Sequence, residues 1–265
     1  MIFEATLTKM QTELFNPVQY YMVFENNFLA VNGLLDKIIS ITHIGYECLS
    51  CKLPVKIFRQ GFCYDCFYRS AQAGDWIIRP ELSKAHLGIA DRDLEYEAKM
   101  QLQPHVVYLA LSSELKVGVT RKSQVPTRWI DQGAVQALSV LEVPNRYLAG
   151  ITEVALKNHF SDKTNFRKML QNEVPALDLV YEKTKLGVYM PEEVRPYFET
   201  TSNDILKINY PVLQYPTKVS SLNLEKTPLY KGKLKGIKGQ YLIFEDQTVF
   251  NIRGYEGYKV RLEIE

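Results

Sequence analysis

Four cysteines stand close together in the sequence, as two pairs with the same internal spacing. Cys48 and Cys51 form the first pair, and Cys63 and Cys66 form the second after eleven intervening residues. Structural zinc sites take four ligands in a tetrahedron, and a two-residue spacer lets both sulfurs of a pair face one ion. The pattern therefore predicts a closed, structural zinc site whose loss would unfold the surrounding module. Two disulfides or a redox pair are the disfavoured alternatives.

Basic and aromatic residues are interleaved in and around the four-cysteine segment. The basic residues are Lys52, Lys56, Arg59 and Arg69, and the aromatic residues are Phe58, Phe62, Tyr64, Phe67 and Tyr68. This mixture is typical of surfaces that contact phosphates and unpaired bases. The same residues would also suit a very small core with solvated charges around it. The sequence leaves both interpretations open.

A second group of residues that could take part in catalysis lies between positions 106 and 172. Two short apolar runs, 106–111 and 115–120, flank a polar turn and predict a β-hairpin. The segment 121–129 that follows the hairpin places Arg128 near the start of a predicted helix, and another helix is predicted from about 148 to 160. These elements would hold a tyrosine, a glycine, an arginine and a glutamate in a fixed order.

The order of these residues resembles the core of the GIY-YIG nucleases. Tyr108 matches the tyrosine of the first family motif, and Gly118 matches the glycine of the second. Arg128 matches the arginine on the helix, and Glu153 matches the metal-binding glutamate. Asn165 matches a polar residue that follows in many members.

The resemblance implies an endonuclease that depends on magnesium or manganese. In that family a tyrosine handles the proton of the nucleophile, an arginine steadies the phosphate and the glutamate holds the ion. A guanidinium matches phosphate oxygens as a fork, so Arg128 is assigned to the phosphate, with Arg121 as an alternative contact. One carboxylate with several waters is a usual way to hold magnesium, which is the role implied for Glu153.

Lys116 stands where the second family motif has a tyrosine. A lysine there could act as a base only if burial lowered its pKa. It could equally contact a phosphate in a domain that binds nucleic acid without cutting it. Three functions therefore stay open: a metal-dependent nuclease, an inactive nucleic-acid-binding module, and a protein-interaction scaffold.

Several longer phrases resemble one family of bacterial proteins that share a domain of unknown function. The phrases are residues 85–88, 107–110, 128–134, 162–165 and 236–240. They are spread over most of the chain. The resemblance implies relatives without implying a biochemical role.

Lysines alternate along one C-terminal segment that contains no acidic residue. They are Lys231, Lys233, Lys235 and Lys238. Such a strip would suit contact with a nucleic-acid backbone. Alternating lysines also protect edge strands from pairing with other chains, so this segment has two interpretations.

The predicted fold class is α+β, with a GIY-YIG-like core, an inserted zinc module and flanking small β-barrel or sheet parts. The predicted parts are a β-rich segment at 1–46, the zinc module at 47–73, a connector at 74–105, the core at 106–172, and a helical linker with a C-terminal β domain at 173–265. The C-terminal strands could also pair with residues 1–46 in one β domain.

The amino-acid composition limits the classes of function that the protein can have. The chain has 265 residues, of which 46% are hydrophobic and 23% charged, as in ordinary globular proteins. The net charge of +2 is too small to indicate nucleic-acid binding alone, so any basic footprint for DNA or RNA must be local. No apolar run reaches the ~18 residues of a membrane helix, and no signal peptide is evident. A cytoplasmic protein without a membrane partner is predicted.

Overall fold

The computed structural model describes residues 1–24, 27–157, 159, 165–198 and 202–265. Packing divides the chain into two compact units. Unit 1 contains Met1–Tyr68, Ile130–Gly133 and Ile208–Glu265, and unit 2 contains Arg69–Trp129 and Ala134–Lys207. The N-terminal part, the four-cysteine module and the C-terminal strands therefore share unit 1, whereas the connector packs with the predicted core in unit 2. The finer boundaries of the five predicted parts stay a prediction.

Three sheets contain the strands of the described residues. The strands are β1 (Ile2–Thr6), β2 (Gln11–Glu13), β3 (Gln19–Val23), β4 (Phe28–Ala30), β5 (Ile38–Tyr46), β6 (His105–Leu111), β7 (Leu115–Arg121), β8 (Gln136–Val143), β9 (Ile205–Lys207), β10 (Ser220–Ser221), β11 (Leu229–Lys238), β12 (Tyr241–Phe244), β13 (Thr248–Asn251) and β14 (Tyr258–Ile264). β2, β3 and β4 form a small antiparallel sheet in unit 1.

The helices are short, and several 3-10 turns lie between them. The α-helices of the described residues are α1 (Tyr64–Arg69), α2 (Leu94–Gln101), α3 (Thr127–Asp131), α4 (Arg146–Lys157), α5 (Phe166–Leu170), α6 (Leu179–Thr184) and α7 (Arg195–Phe198). In this part of the chain, none of them has the length and apolar character needed to cross a membrane.

A seven-stranded sheet in unit 1 joins strands from both ends of the chain. Its order is β1-β14-β5-β11-β12-β13-β10. β5 pairs antiparallel with both β14 and β11, and its residues Ile39 and Ile41 point into the core. Pairing of the C-terminal strands with residues 1–46 is thus confirmed. The barrel alternative is wrong, because among the described strands this sheet stays open, with β1 and β10 at its edges.

β11, which carries the alternating lysines, lies inside this sheet. Its first half pairs with β5 and its second half with β12. β11 is therefore not the edge strand that the alternating lysines suggested, since β5 and β12 lie on either side of it in the strand order. Lys231 instead forms an ion pair with Glu265 at 2.6 Å, and Lys235 pairs with Asp36 at 2.7 Å.

The four-stranded sheet of unit 2 has the order β7-β6-β8-β9 and is antiparallel throughout. All seven residues of β6 are buried, which explains why its sequence is almost continuously apolar. Ala149 and Leu156 of α4 belong to the same hydrophobic core as Leu109 and Leu138 of the sheet. The predicted hairpin is confirmed as the β6–β7 pair.

The structure contains both helices predicted beside the hairpin. The helix expected from 148 begins earlier, at Arg146, and is described through Lys157, with residues 158 and 160 outside the described residues. The helix expected to start near Arg128 is confirmed as α3, which begins at Thr127 after a 3-10 turn at Lys122–Gln124.

Candidate metal centre and candidate catalytic residues

The four cysteines come together at one point of unit 1. Cys48 and Cys51 lie on the loop after β5, whereas Cys63 directly precedes α1 and Cys66 lies in its first turn. Their four Sγ atoms all lie within 4.8 Å of one another. Four sulfurs bound to one zinc ion at about 2.3 Å would be about 3.8 Å apart, so only a small contraction is needed. The donor set and its spacing fit a zinc ion.

Backbone N–H groups of the loop stabilise the thiolate form of Cys48. Burial raises the pKa of the Cys48 thiol, but hydrogen bonds from the backbone N–H groups of Cys63, Cys51 and Ser50 outweigh it and lower the pKa to about 6. The Cys63 N–H lies 3.3 Å from the Cys48 Sγ. At Gly61, where φ is +79°, a Cβ would lie only 2.4 Å from Leu49, so the return of the loop requires glycine.

The hairpin of unit 2 brings two of the predicted residues into contact. Tyr108 on β6 is directly paired with Gly118 on β7. Tyr108 is completely buried, and its ring centroid lies 5.8 Å from that of Trp129. Lys116, two residues before Gly118, is opposite Ala110 and half-buried.

Several charged side chains act electrostatically on Arg146, a residue that the sequence did not single out. Burial lowers the pKa of the Arg146 guanidinium to about 10, Glu153 opposes this shift, and Arg121 and Arg128 add to it by charge repulsion. The four side chains therefore lie close enough to interact electrostatically, although they come from β7, α3 and α4. Three of them, Arg121, Arg128 and Glu153, are residues that the sequence predicted.

Backbone carbonyls of the connector fix the position of Arg146. Its Nε donates to the Trp76 carbonyl at 3.1 Å, and an Nη donates to the Ile77 carbonyl at 2.8 Å. The guanidinium carbon also lies 5.5 Å from the centre of the Trp76 ring. The connector thus forms part of the surroundings of Arg146.

Helix α4 approaches the connector at Gly150. A Cβ on Gly150 would lie 2.3 Å from the backbone nitrogen of Glu81, so the two backbones are in direct contact. Arg146, Gly150 and Glu153 share one face of α4, because they are four and three residues apart. The Glu81 carboxylate also acts on the pKa of Arg146, in the same direction as Glu153.

His105 is a second residue near this group that the sequence did not single out. It is completely buried at the start of β6, and its Nδ1 lies 2.7 Å from the Gln103 carbonyl oxygen. Burial is the main cause that lowers its pKa to about 4, with the charges of Arg146 and Arg121 adding to the effect. The imidazole is therefore neutral at physiological pH. Its sequence signal was weak, because burial depends on the tertiary fold.

Asn165 has a structural role at the start of α5. Its side-chain oxygen accepts hydrogen bonds from the backbone N–H groups of Arg167 and Lys168, at 3.1 and 3.3 Å. It is therefore the N-cap residue of that helix. The preceding residues of its family-like phrase, 162–164, lie outside the described residues.

Lys238 does not belong to an exposed strip with the other three lysines. Its side chain is completely buried, with Nζ 5.4 Å from the ring centre of Tyr210 and 5.5 Å from that of Tyr215. Burial lowers the pKa of the ammonium group to about 8. Lys231, Lys233 and Lys235 are less buried, and each has a carboxylate within 3.9 Å.

Two of the family-like phrases meet in unit 1, around Asp131 and Gln240. The Gln240 amide nitrogen donates to Asp131 at 2.8 Å, and its oxygen accepts from the Met10 N–H at 2.8 Å. Lys9 forms an ion pair with the same carboxylate, also at 2.8 Å. This network is fully hydrogen-bonded at Gln240, which indicates a structural role for both phrases.

The fold and the sites define a mixed α+β protein with a four-cysteine cluster that is suited to a metal ion. The chain belongs to the family described as Protein of unknown function (DUF2797), whose family model matches residues 36–260. That range includes the four cysteines and the charged group around Arg146. No curated protein and no solved structure matches the chain.

Proposed function

We propose that the protein acts on nucleic acid and that unit 2 hydrolyses phosphodiester bonds with the help of a divalent metal ion. The observation that supports this proposal is that Arg121, Arg128 and Glu153 all act by their charge on the guanidinium of Arg146, which the carbonyls of Trp76 and Ile77 hold in place. Clustered arginines favour a phosphate between them, because an anion relieves their mutual repulsion. The resemblance to GIY-YIG nucleases supports the same conclusion from the order of the residues.

Each residue has a distinct role in this proposal. Arg128 and Arg121 bind the phosphate, and Lys116 contacts it from the hairpin. Glu153 holds a magnesium or manganese ion, which would supply Lewis-acid chemistry at the leaving oxygen. Tyr108 handles the proton of the attacking water. Asn165 supports the site through the start of α5, and Lys231, Lys233 and Lys235 contact the nucleic-acid backbone.

The four cysteines hold a structural zinc ion in the same proposal. Four thiols leave no open coordination position for a substrate, so this ion would stabilise the module and take no part in hydrolysis. A reducing cytoplasm would keep the thiols available for the metal. The fit of the four Sγ atoms supports this assignment.

Binding without cleavage is the second candidate, and the burial of Tyr108 favours it. A tyrosine with no exposed surface cannot reach a water at a bound phosphate unless the hairpin or Trp129 moves. A domain that kept the arginines and lost hydrolytic activity would not need Tyr108 to reach a water molecule. Lys116 in place of a tyrosine is consistent with that outcome.

Cleavage assays with a matched pair of variants separate these functions. The zinc-loaded protein is incubated with single- and double-stranded DNA and RNA, with magnesium or manganese. The variant Glu153→Gln tests the metal ligand. Glu142→Gln is the control, because Glu142 is an exposed carboxylate of the same unit and forms an ion pair with Lys122 at 3.0 Å.

Cleavage that is lost in Glu153→Gln and kept in Glu142→Gln would support the nuclease proposal. Binding without cleavage, equal in all three proteins, would overturn hydrolysis and leave the binding module. If no nucleic acid binds, both candidates fail and a protein partner becomes the next hypothesis.

A further inference from the structure

Four aromatic side chains of the four-cysteine module form a cluster that we name the ring cluster. It consists of Phe58, Tyr64, Phe67 and Tyr68. The ring centroids of Tyr64 and Tyr68 are 4.9 Å apart, and that of Phe58 lies 5.2 Å from Tyr64. Tyr64 and Tyr68 are one helical turn apart on α1, so their rings share one face of that helix.

The ring cluster lies on the surface of the module and is not its core. Tyr64 is 61% exposed and Tyr68 is 53% exposed. The core is supplied by other residues, since Cys48, Ile57 and Phe62 are buried. The alternative interpretation, in which these aromatic residues form a very small core, therefore holds for Phe62 and fails for Tyr64 and Tyr68.

A basic side chain flanks the rings. The guanidinium of Arg59 lies 5.2 Å from the centre of the Phe58 ring. Among the described residues, no carboxylate lies within 4.0 Å of that guanidinium, whereas Lys56 is paired with Glu225 at 3.4 Å. Arg59 thus has its charge available to an anion.

Exposed rings beside an unpaired guanidinium group match the chemistry of a single nucleic-acid strand. Unpaired bases offer flat faces that stack on aromatic rings, and a phosphate of the same strand lies within reach of a nearby arginine. In a duplex the base faces are already stacked on one another, so the rings have nothing to contact. We propose that the ring cluster binds an unpaired strand, with bases on Tyr64 and Tyr68 and a phosphate at Arg59.

Stacking is expected to contribute more than charge. Four thiolates and a divalent ion together carry a formal charge of about −2, which offsets the basic residues of the module. One phosphate contact predicts a slope of log affinity against log salt of about −0.7 for a single strand. The proposal shares with the proposed function the premise that nucleic acid is the partner, but it does not depend on hydrolysis.

Binding is measured by fluorescence anisotropy on the full zinc-loaded chain, with a labelled strand of about 12 nucleotides and the matching duplex. The test variant is Tyr64→Ala with Tyr68→Ala, and its conservative counterpart is Tyr64→Phe with Tyr68→Phe. Tyr181→Ala is the matched control, because Tyr181 is 60% exposed and lies 4.2 Å from the Lys185 ammonium in unit 2. Zinc content and thermal unfolding verify that each variant is folded.

We expect the double alanine variant to lose about tenfold or more in affinity for the single strand. The phenylalanine variant and Tyr181→Ala should stay close to the unchanged protein, and the duplex should bind at least about tenfold more weakly. Equal affinity of the alanine variant and the unchanged protein would overturn the proposal, as would a preference for duplex. Stacking-dependent binding without any cleavage would refute only the hydrolysis, and cleavage with no effect of the tyrosines would refute only the ring cluster. Binding of only protein or lipid vesicles at the ring cluster would also overturn the proposal.

Discussion

Tyr108 faces Gly118 across the β6–β7 hairpin, and its ring fills the space that a side chain at position 118 would occupy. A Cβ built on Gly118 would lie 2.6 Å from both the Cζ and the hydroxyl oxygen of Tyr108. The ring cannot move away freely, because Trp129 packs against it. Glycine is therefore required here by packing and not by the backbone conformation.

The variant Gly118→Ala should destabilise the protein by about 1–3 kcal/mol, because the new methyl group overpacks a buried tyrosine. Urea unfolding followed by circular dichroism measures this change. Gly187→Ala is the control within unit 2, since a Cβ there would meet only Phe198 at 3.4 Å. Equal stability of the two variants would show that the Tyr108 ring moves easily to make room for a methyl group at position 118.

Metal content gives a second prediction, at the four cysteines. The purified chain should hold one zinc ion, and Cys63→Ser should lose it together with the order of the module. Because all four thiols must lose protons to bind the ion, acidification should release zinc and not strengthen its binding. Elemental analysis and the absorption of the cobalt-substituted protein measure these effects. Ser220→Ala, at an exposed position of β10, is the control, and zinc retained by Cys63→Ser would contradict the four-ligand site.

Lys238 gives a prediction about the pH dependence of stability. Burial lowers its pKa to about 8, below the value of 10.5 expected in the unfolded chain. Between these pH values the unfolded chain binds more protons than the folded one, so the free energy of unfolding should rise with pH. The full difference is up to about 3 kcal/mol.

Replacing Lys238 by methionine keeps most of the side-chain volume and removes the titrating group. The variant Lys238→Met should therefore lack the rise in stability above pH 8. Urea unfolding at pH 7, 8 and 9 measures the free energy of unfolding of both proteins. Contributions from buried tyrosines cancel in the difference between the two, because both proteins contain the same tyrosines. Parallel curves would show that the ammonium group is solvated in the folded protein.

Local pattern was enough to locate many of the elements. The apolar runs at 106–111 and 115–120 predicted two strands, and the limits of β6 and β7 differ from these runs by one residue each. The hairpin turn and its apolar flanks also placed Tyr108 and Gly118 on paired strands. In each case the structural signal is contained within a few neighbouring residues.

Arg146 could have been found from the sequence, whereas His105 and Lys238 could not. The side-chain oxygen of Asn145 accepts from the Leu148 N–H at 3.0 Å, which is a helix-start signal just before Arg146. The burial of His105 and Lys238 depends instead on contacts between distant segments. The barrel prediction failed for the same reason, because the choice of partner strand for β11 and β14 is not contained in their own residues.

The pairing of β1 with β14 has a consequence for synthesis on the ribosome. The backbone nitrogen of Met1 donates to the carbonyl of Ile264, a separation of 263 positions. While the chain grows, β1 has no strand to complete its hydrogen bonds until β14 emerges, and an unpaired strand attracts other chains. All residues of unit 2 are translated before that moment. Co-translational folding can thus finish in unit 2 first, and nascent chains stalled late in translation should be those most dependent on chaperones.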